Sequence, residues 1–227
     1  MNEAIVKLEN ISKIYQLGSI VLQAIKGISL EINRGSFVSI MGVSGSGKST
    51  LLNMIGCLDS PTKGKVFLKG KDVSLLSEDQ LSQLRGKTIG FVFQEFNLLP
   101  NLNSLDNVAL PMVFQGLPEI ERRERAKSLL SMVGLEDRIF HQPAELSGGE
   151  KQRVAIARAF ANDPEVVIAD EPTGNLDSVT GKKIMEILSD FHKKEKKTVI
   201  IVTHDLNIAG YTDEIFNIKD GQILNKQ

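Results

Sequence analysis

Hydrophobic and polar residues alternate along the first third of the chain with the period of half-buried β-strands. This alternation predicts strands over residues 5–11 and 28–32, and glycines at both ends delimit a third strand over 64–70. A short apolar run at 37–41 precedes a glycine-rich loop, and a further buried strand is predicted over 88–93. The pattern therefore predicts an antiparallel sheet near the N-terminus, beside a second and more buried sheet.

The pattern changes after residue 94, since no convincing strand is found from 97 to about 161. Apolar residues recur there at helical spacing, and they predict a first helix over 104–115. Pro111 is expected to kink or interrupt that helix. Pro118 is placed to start a second helix and Gly134 to end it, and a third helix is predicted after Gly149.

Two almost entirely apolar runs, at 165–169 and 198–202, are typical of parallel strands that are covered on both faces. A helix is predicted between them, over 178–194, and the tail reads as a β-hairpin with a type I′ turn at Asp220 and Gly221. We interpret the chain as a single domain, residues 1–227. Its parts are a core formed by 1–94 and 162–227 and a helical insertion formed by 95–161.

Composition narrows the possible functions. The chain has 27 basic and 28 acidic residues and a net charge of -1, which gives no general case for a nucleic-acid partner. Its single cysteine, Cys57, favours a reducing, cytosolic setting. The first residues show no signal-peptide pattern, and no apolar run approaches the roughly 20 residues that span a bilayer. We therefore expect any role at a membrane to depend on docking to another protein.

One stretch carries a complete phosphate-binding motif between a strand and a helix. The glycines allow successive backbone N–H groups to point at an anion, and the following helix adds its partial positive charge. Lys48 can reach the terminal phosphates of a nucleotide, and the Ser49 hydroxyl can ligate Mg²⁺. The motif predicts an α/β fold with a RecA-like P-loop NTPase core, an N-terminal antiparallel β subdomain and an inserted α-helical subdomain. Its residues are Gly42, Val43, Ser44, Gly45, Ser46, Gly47, Lys48, Ser49 and Thr50.

Polar residues follow three of the predicted core strands. Asp170 and Glu171 end one strand, so that Asp170 can hold Mg²⁺ and Glu171 can polarise a water molecule in line with the γ-phosphate. His204 follows another strand and is expected to contact the γ-phosphate or the attacking water. Gln94 also ends a strand, and its amide can contact Mg²⁺ or water without adding charge. Alone, however, Gln94 is a weak signal.

A second anion-binding helix start lies inside the helical block. Ser147 can cap the helix, and Gly148 and Gly149 leave backbone N–H groups unobstructed. Since the chain already has one phosphate loop, a second one far along the sequence suggests that it serves a nucleotide held by another subunit.

These motifs, in this order, resemble the ATP-binding subunit of ABC transporters over the whole chain. The resemblance implies ATP and Mg²⁺ as cofactors, ATP hydrolysis, and a second copy of the chain whose phosphate loop faces Ser147, Gly148 and Gly149. It also implies that Tyr15 stacks on adenine and that residues 175–177 connect the two sites. From the pattern alone, Tyr15 could equally belong to the core.

Finer motifs resemble the macrolide-exporter and lipoprotein-release subfamily, although Lys151 stands where that group often has glutamine. They lie at 55–59, 97–100, 107–111 and 170–177. The resemblance implies a chain held at the inner face of the cell membrane by a separate integral membrane permease, with an extracytoplasmic adaptor reached through that permease. Two alternatives share the fold. One is an ATPase that regulates a non-transporting membrane partner in cell division or signalling. The other is a DNA-clamping ATPase, which the absence of long heptad insertions disfavours.

Overall fold

The computed structural model describes residues 3–226. Ten strands and seven α-helices follow one another along this part of the chain. The strands are β1 (Ala4–Leu17), β2 (Ile20–Asn33), β3 (Phe37–Met41), β4 (Lys63–Leu68), β5 (Lys71–Asp72), β6 (Ile89–Val92), β7 (Val166–Asp170), β8 (Thr198–Thr203), β9 (Glu214–Lys219) and β10 (Gln222–Lys226). The helices are α1 (Lys48–Ile55), α2 (Glu78–Thr88), α3 (Ser104–Phe114), α4 (Glu119–Met132), α5 (Gly148–Ala159), α6 (Ser178–Glu195) and α7 (Leu206–Ala209).

A six-stranded sheet forms the centre of the fold, in the order β10-β9-β3-β8-β7-β6. All neighbouring pairs are parallel except β9 and β10, which form the predicted hairpin. Asp220 and Gly221 both have positive φ, as a type I′ turn requires. Because β3, β6, β7 and β8 run in the same direction, the polar residues that follow them meet at one edge of the sheet.

The two faces of the central sheet pack against different layers. Alternate residues of β3 and β8 divide between two hydrophobic clusters, so that Val38 and Ile200 face α1 and the N-terminal strands. Phe37 and Val199 face α5, α6 and the helical block. This covering on both faces explains why the core strands are almost entirely apolar. Among the described residues, no helix combines the length and apolar character needed to cross a membrane.

The predicted antiparallel sheet is present, in the order β2-β1-β4-β5, but its first two strands are much longer than expected. They pair from Ala4 with Asn33 to Leu17 with Ile20. Register shifts on both sides of Ile11 break the alternation, which hides the continuation of β1 in the sequence.

The helical block consists of α3, α4 and α5, and no strand lies between β6 and β7 in the described chain. The helix predicted over 104–115 is present, but Pro111 does not interrupt it, since α3 continues through this residue to Phe114. Pro111 lies in the last turn, where the missing N–H removes a single helical bond. Gly134, with φ of +68°, follows the end of α4 as expected. The fold is that of a P-loop NTPase with an antiparallel β subdomain and an inserted helical subdomain.

Candidate nucleotide-binding site

The phosphate loop connects β3 to α1 at the centre of the sheet edge. Gly45 and Gly47 have φ of +77° and +101°, a region that favours glycine. No side chain caps the start of α1 and its first turn carries no acid, so its N–H groups are available to an anion. The Lys48 ammonium donates to the carbonyl oxygens of Gly42 at 2.7 Å and Val43 at 2.9 Å, and therefore lies folded over the loop.

Two other parts of the chain support this loop from behind. A Cβ atom on Gly47 would lie 2.7 Å from the Ala24 carbonyl oxygen of β2, and one on Gly221 would lie 2.5 Å from the same oxygen. The Gly221 amide donates to the Ser46 carbonyl at 3.0 Å. The Ser46 hydroxyl is buried and has no hydrogen-bond partner among residues 3–226. The tail hairpin and β2 thus hold the loop in its curled conformation.

A cleft of about 1080 Å³ opens in front of the loop. Of the predicted site residues, Tyr15, Gln94, Asp170, Glu171 and His204 line it together with the exposed part of the phosphate loop. The structure therefore brings these dispersed residues to one place. The lining also includes residues that sequence reasoning missed, namely Leu22, Gln23, Ala24, Lys26, Gly174, Asp220 and Gly221. Gly174 lies in the motif at 170–177, whereas the others belong to β2 and the tail hairpin, and only the pairing of these elements with the core brings them to the cleft.

Two carboxylates lie at the end of β7, where the predicted catalytic acids were expected. Burial raises the pKa of Asp170 above its usual value, and the neighbouring Glu171 raises it further, while Lys48 acts in the opposite direction. A cation beside Asp170 would offset both effects. Ser49, Gln94 and Asp170 offer hydroxyl, amide and carboxylate oxygens, the ligands that Mg²⁺ prefers. The donor set therefore fits Mg²⁺.

Glu171 is held in a fixed position by the last residues of β8 and by His204, which follows that strand. Its backbone has a positive φ of +43°, and its amide donates to the Val202 carbonyl at 2.9 Å. One carboxylate oxygen lies 2.7 Å from Nδ1 of His204, and the other accepts a hydrogen bond of 3.2 Å from the Thr203 hydroxyl. A carboxylate that is hydrogen-bonded to an imidazole can both accept a proton and pass it on. The contact is compatible with the predicted general base, Glu171, and its role stays a prediction.

Gln94 follows β6 and is exposed on the cleft wall. Its side-chain amide donates to Asn175 Oδ1 at 3.4 Å, and the Asn175 amide donates back to the Gln94 carbonyl at 3.0 Å. Gln94 is thus linked to residues 175–177, which lie between Glu171 and α6. Gln94 therefore connects the cleft wall to the loop that precedes α6.

The Ser147 helix start lies outside the cleft. Ser147 caps α5, as expected, by accepting from the Glu150 amide at 3.3 Å, and the Glu150 carboxylate accepts from the Ser147 amide at 2.8 Å. Gly148 is exposed, whereas Gly149 packs against Thr180 so closely that a Cβ atom would lie 2.4 Å from Thr180 Cγ2. Ser147, Gly148 and Gly149 do not line the cleft of their own chain. Their contact with a nucleotide stays a prediction.

Comparison with known proteins agrees with this geometry. Residues 25–174 match the family model described as ABC transporter. The chain is 52% identical over 219 residues to an uncharacterized ABC transporter ATP-binding protein of Thermotoga maritima, covering 96% of this chain and 93% of that protein. It is 48% identical over 224 residues to the macrolide export ATP-binding/permease protein MacB of Vibrio parahaemolyticus. That match covers 99% of this chain and 34% of MacB, so the chain spans about a third of that relative.

A solved structure is similar over nearly the whole chain. The dimeric structure of a post-hydrolysis state of the ATP-binding cassette MJ0796, bound to ADP and Pi, matches with a TM-score of 0.91 and 48% identity. The match covers 98% of this chain and 97% of that one. The protein therefore belongs to the ABC transporter family as an ATP-binding cassette, and it is an ATPase. The resemblance identified from the motifs is confirmed.

Proposed function

We propose that this ATPase works as a head-to-tail dimer that drives a separate membrane permease of the export type. The observation that carries the proposal is the division of phosphate-binding elements. The phosphate loop, Glu171 and His204 share one cleft, whereas the Ser147 helix start is exposed elsewhere. A related cassette of similar fold is dimeric, and relatives with 48% identity are macrolide export proteins. In the proposed dimer, each cleft is completed by Ser147, Gly148 and Gly149 of the other copy.

Each residue of the cleft has a separate role in hydrolysis. Lys48 leaves the Gly42 and Val43 carbonyls to contact the β- and γ-phosphates. Glu171 accepts a proton from the attacking water, and His204, bonded to Glu171, holds the γ-phosphate or that water in line. Mg²⁺, held by Ser49 and Asp170 and contacted by Gln94, would neutralise charge that develops on the phosphates. Tyr15 provides the surface on which adenine stacks.

A groove of about 480 Å³ between the core and the helical block is the proposed docking surface for the permease. Phe91 and Phe93 stack in parallel at 5.6 Å on its floor, and Phe114 at its rim is 80% exposed. Such exposed aromatic surface suits a short apolar helix of a partner. Residues of β6 line the groove, and Gln94 follows that strand by two positions, so γ-phosphate occupancy and permease position are coupled through this segment.

The test of the dimer is a Glu171→Gln chain, which keeps the shape of the side chain but cannot act as a base. With ATP and Mg²⁺ it is expected to have twice the 25.0 kDa mass of a monomer in light scattering and to show no turnover. The exposed Glu136→Gln change is a matched control and should leave turnover intact. A Glu171→Gln chain that stays monomeric with ATP would show that ATP does not join two copies.

A further inference from the structure

Asp59 follows α1 and has no role in the mechanism above, yet it lies at the centre of a polar cluster beside the cleft. One of its oxygens accepts a hydrogen bond of 2.9 Å from the Tyr15 hydroxyl. The other accepts from the Lys13 ammonium at 2.5 Å and from the Ser60 amide at 2.7 Å. Both oxygens of the carboxylate are therefore engaged, and their partners come from β1 and from the loop that follows α1.

The cluster restrains the ring of Tyr15 from two directions. The Lys13 ammonium lies 5.0 Å from the centre of the ring and also donates to the Ser60 carbonyl at 2.7 Å, and the Lys13 side chain is only 13% exposed. Burial alone would raise the pKa of Asp59, but hydrogen bonds from Lys13, Tyr15 and Ser60 lower it below its usual value. Asp59 therefore stays ionised and binds the phenol firmly.

We propose that Asp59 is a positioning residue that fixes the Tyr15 ring as the surface on which the nucleotide base stacks. The proposal rests on the role assigned above to Tyr15. Tyr15 lines the cleft, and its hydroxyl donates a hydrogen bond to Asp59. A tyrosine held at both its ring and its hydroxyl loses less rotamer freedom when a base binds, which favours affinity.

The same arrangement connects the base to the phosphate loop. Helix α1 begins at Lys48, in the phosphate loop, and Asp59 lies just beyond its other end. Burial and the bond to Asp59 raise the pKa of Tyr15. The hydroxyl of Tyr15 is thus hydrogen-bonded to the segment that follows the helix carrying the phosphate site.

The experiment compares the affinities of ATP and inorganic tripolyphosphate, which lacks a base, for four variants of the full chain. Tyr15→Ala removes the stacking surface and is expected to weaken ATP binding by about 5- to 100-fold. Tyr15→Phe keeps the ring but loses the hydrogen bond to Asp59, and Asp59→Ala removes the carboxylate that accepts this bond. Each variant is expected to weaken ATP binding by about three- to tenfold. Tripolyphosphate binding should change less than about twofold in all three. Asp72→Ala, which removes another lysine-paired carboxylate, is the matched control and should bind ATP normally.

Three results would overturn parts of this reasoning and are distinguishable. If Tyr15→Ala binds ATP normally, the stacking role is wrong, and with it the role of Asp59. If only Tyr15→Ala weakens ATP, the base stacks on a ring that needs no support from Asp59. If Asp59→Ala weakens ATP and tripolyphosphate equally, Asp59 serves the phosphate loop instead. The double variant Tyr15→Phe with Asp59→Ala should be no weaker than the weaker single variant, because both changes remove the same bond.

Discussion

Replacing Asn107 with alanine removes the side chain that holds the loop after Gln94 against the helical block. Asn107 lies in α3 and is fully buried. Its amide oxygen accepts from the Leu99 amide at 2.8 Å. Its amide nitrogen donates to the carbonyls of Leu99, Leu102 and Asn103 at 3.1, 2.8 and 3.1 Å. An alanine would leave the Leu99 amide and the Leu102 carbonyl without this partner, whereas the Leu99 and Asn103 carbonyls keep their bonds from the Leu102 and Asn107 amides.

The expected loss of stability follows from the number of bonds. The amide nitrogen has two hydrogens and the oxygen accepts one bond, so three bonds are lost at about 0.5–1.5 kcal/mol each. The better helix propensity of alanine returns up to about 0.7 kcal/mol. The net loss is therefore about 1–4 kcal/mol, which lowers Tm by roughly 2–4 °C for each kcal/mol in a chain of this size.

Differential scanning calorimetry of the nucleotide-free chain measures this loss. The control is Asn101→Ala, because Asn101 lies in the same loop but is exposed, and its Tm should stay within about 1 °C of wild type. If the Tm of Asn107→Ala also stays within about 1 °C of wild type, the four contacts of Asn107 do not determine the stability of this loop.

Two further predictions concern the cleft. Asp170→Asn should abolish ATPase activity yet raise the Tm of the nucleotide-free chain by a few degrees at pH 7–8, measured by calorimetry. Burial and Glu171 raise the pKa of Asp170 in the folded state, so ionised Asp170 opposes folding above that pKa. The gain in Tm from Asp170→Asn should therefore vanish in acid, where Asp170 is protonated. A lower Tm of the variant at pH 7–8 would contradict this. Gly221→Ala places a Cβ atom against the Ala24 carbonyl and should weaken ATP binding about tenfold by calorimetric titration. Gly70→Ala is the control, because Gly70 has a similar positive φ but no close neighbour. Equal ATP affinities of these two variants would exclude a role for the tail hairpin in supporting the phosphate loop.

The parts of the fold that the sequence predicted well are those governed by local chemistry. The Ser147 helix cap, the type I′ turn at Asp220 and Gly221, and the buried strand over 37–41 depend on residues within a few positions of each other, and all are present. The sequence predicted β2 only over 28–32, because the first residues of this strand, from Ile20, are exposed on both faces and show no alternation.

The composite nature of the cleft could be predicted only in part. Gln94, Glu171 and His204 belong to motifs, so the sequence alone predicts them as site residues. Ala24 and Asp220 carry no signal, because their place in the cleft depends on the order of strands in the sheet. Asp59 belongs to a subfamily motif, yet its contact with Tyr15 joins residues 44 positions apart, so the motif alone does not predict it.

The central claim is that each ATP site is shared between two copies, and mixing two defective chains tests it. Lys48→Ala removes the phosphate-loop cation. Gly148→Asp adds a negative charge where the partner's phosphates are proposed to bind. A Cβ atom on Gly148 meets its nearest neighbours at 3.5 and 4.0 Å, and an acid in the first turn suits the helix dipole, so the variant is expected to fold. Gly148→Ala, which adds no charge, is its control and should keep most activity.

Each defective chain should lack ATPase activity by itself. A one-to-one mixture should recover up to about a quarter of the wild-type rate, because half of the random dimers are mixed and each mixed dimer holds one intact site. The recovered rate should rise with protein concentration and fall when either chain is in large excess over the other. If the mixture shows no more activity than the two chains measured separately, while the Gly148→Ala chain is active, the site is not shared in this way and the proposed dimer is wrong.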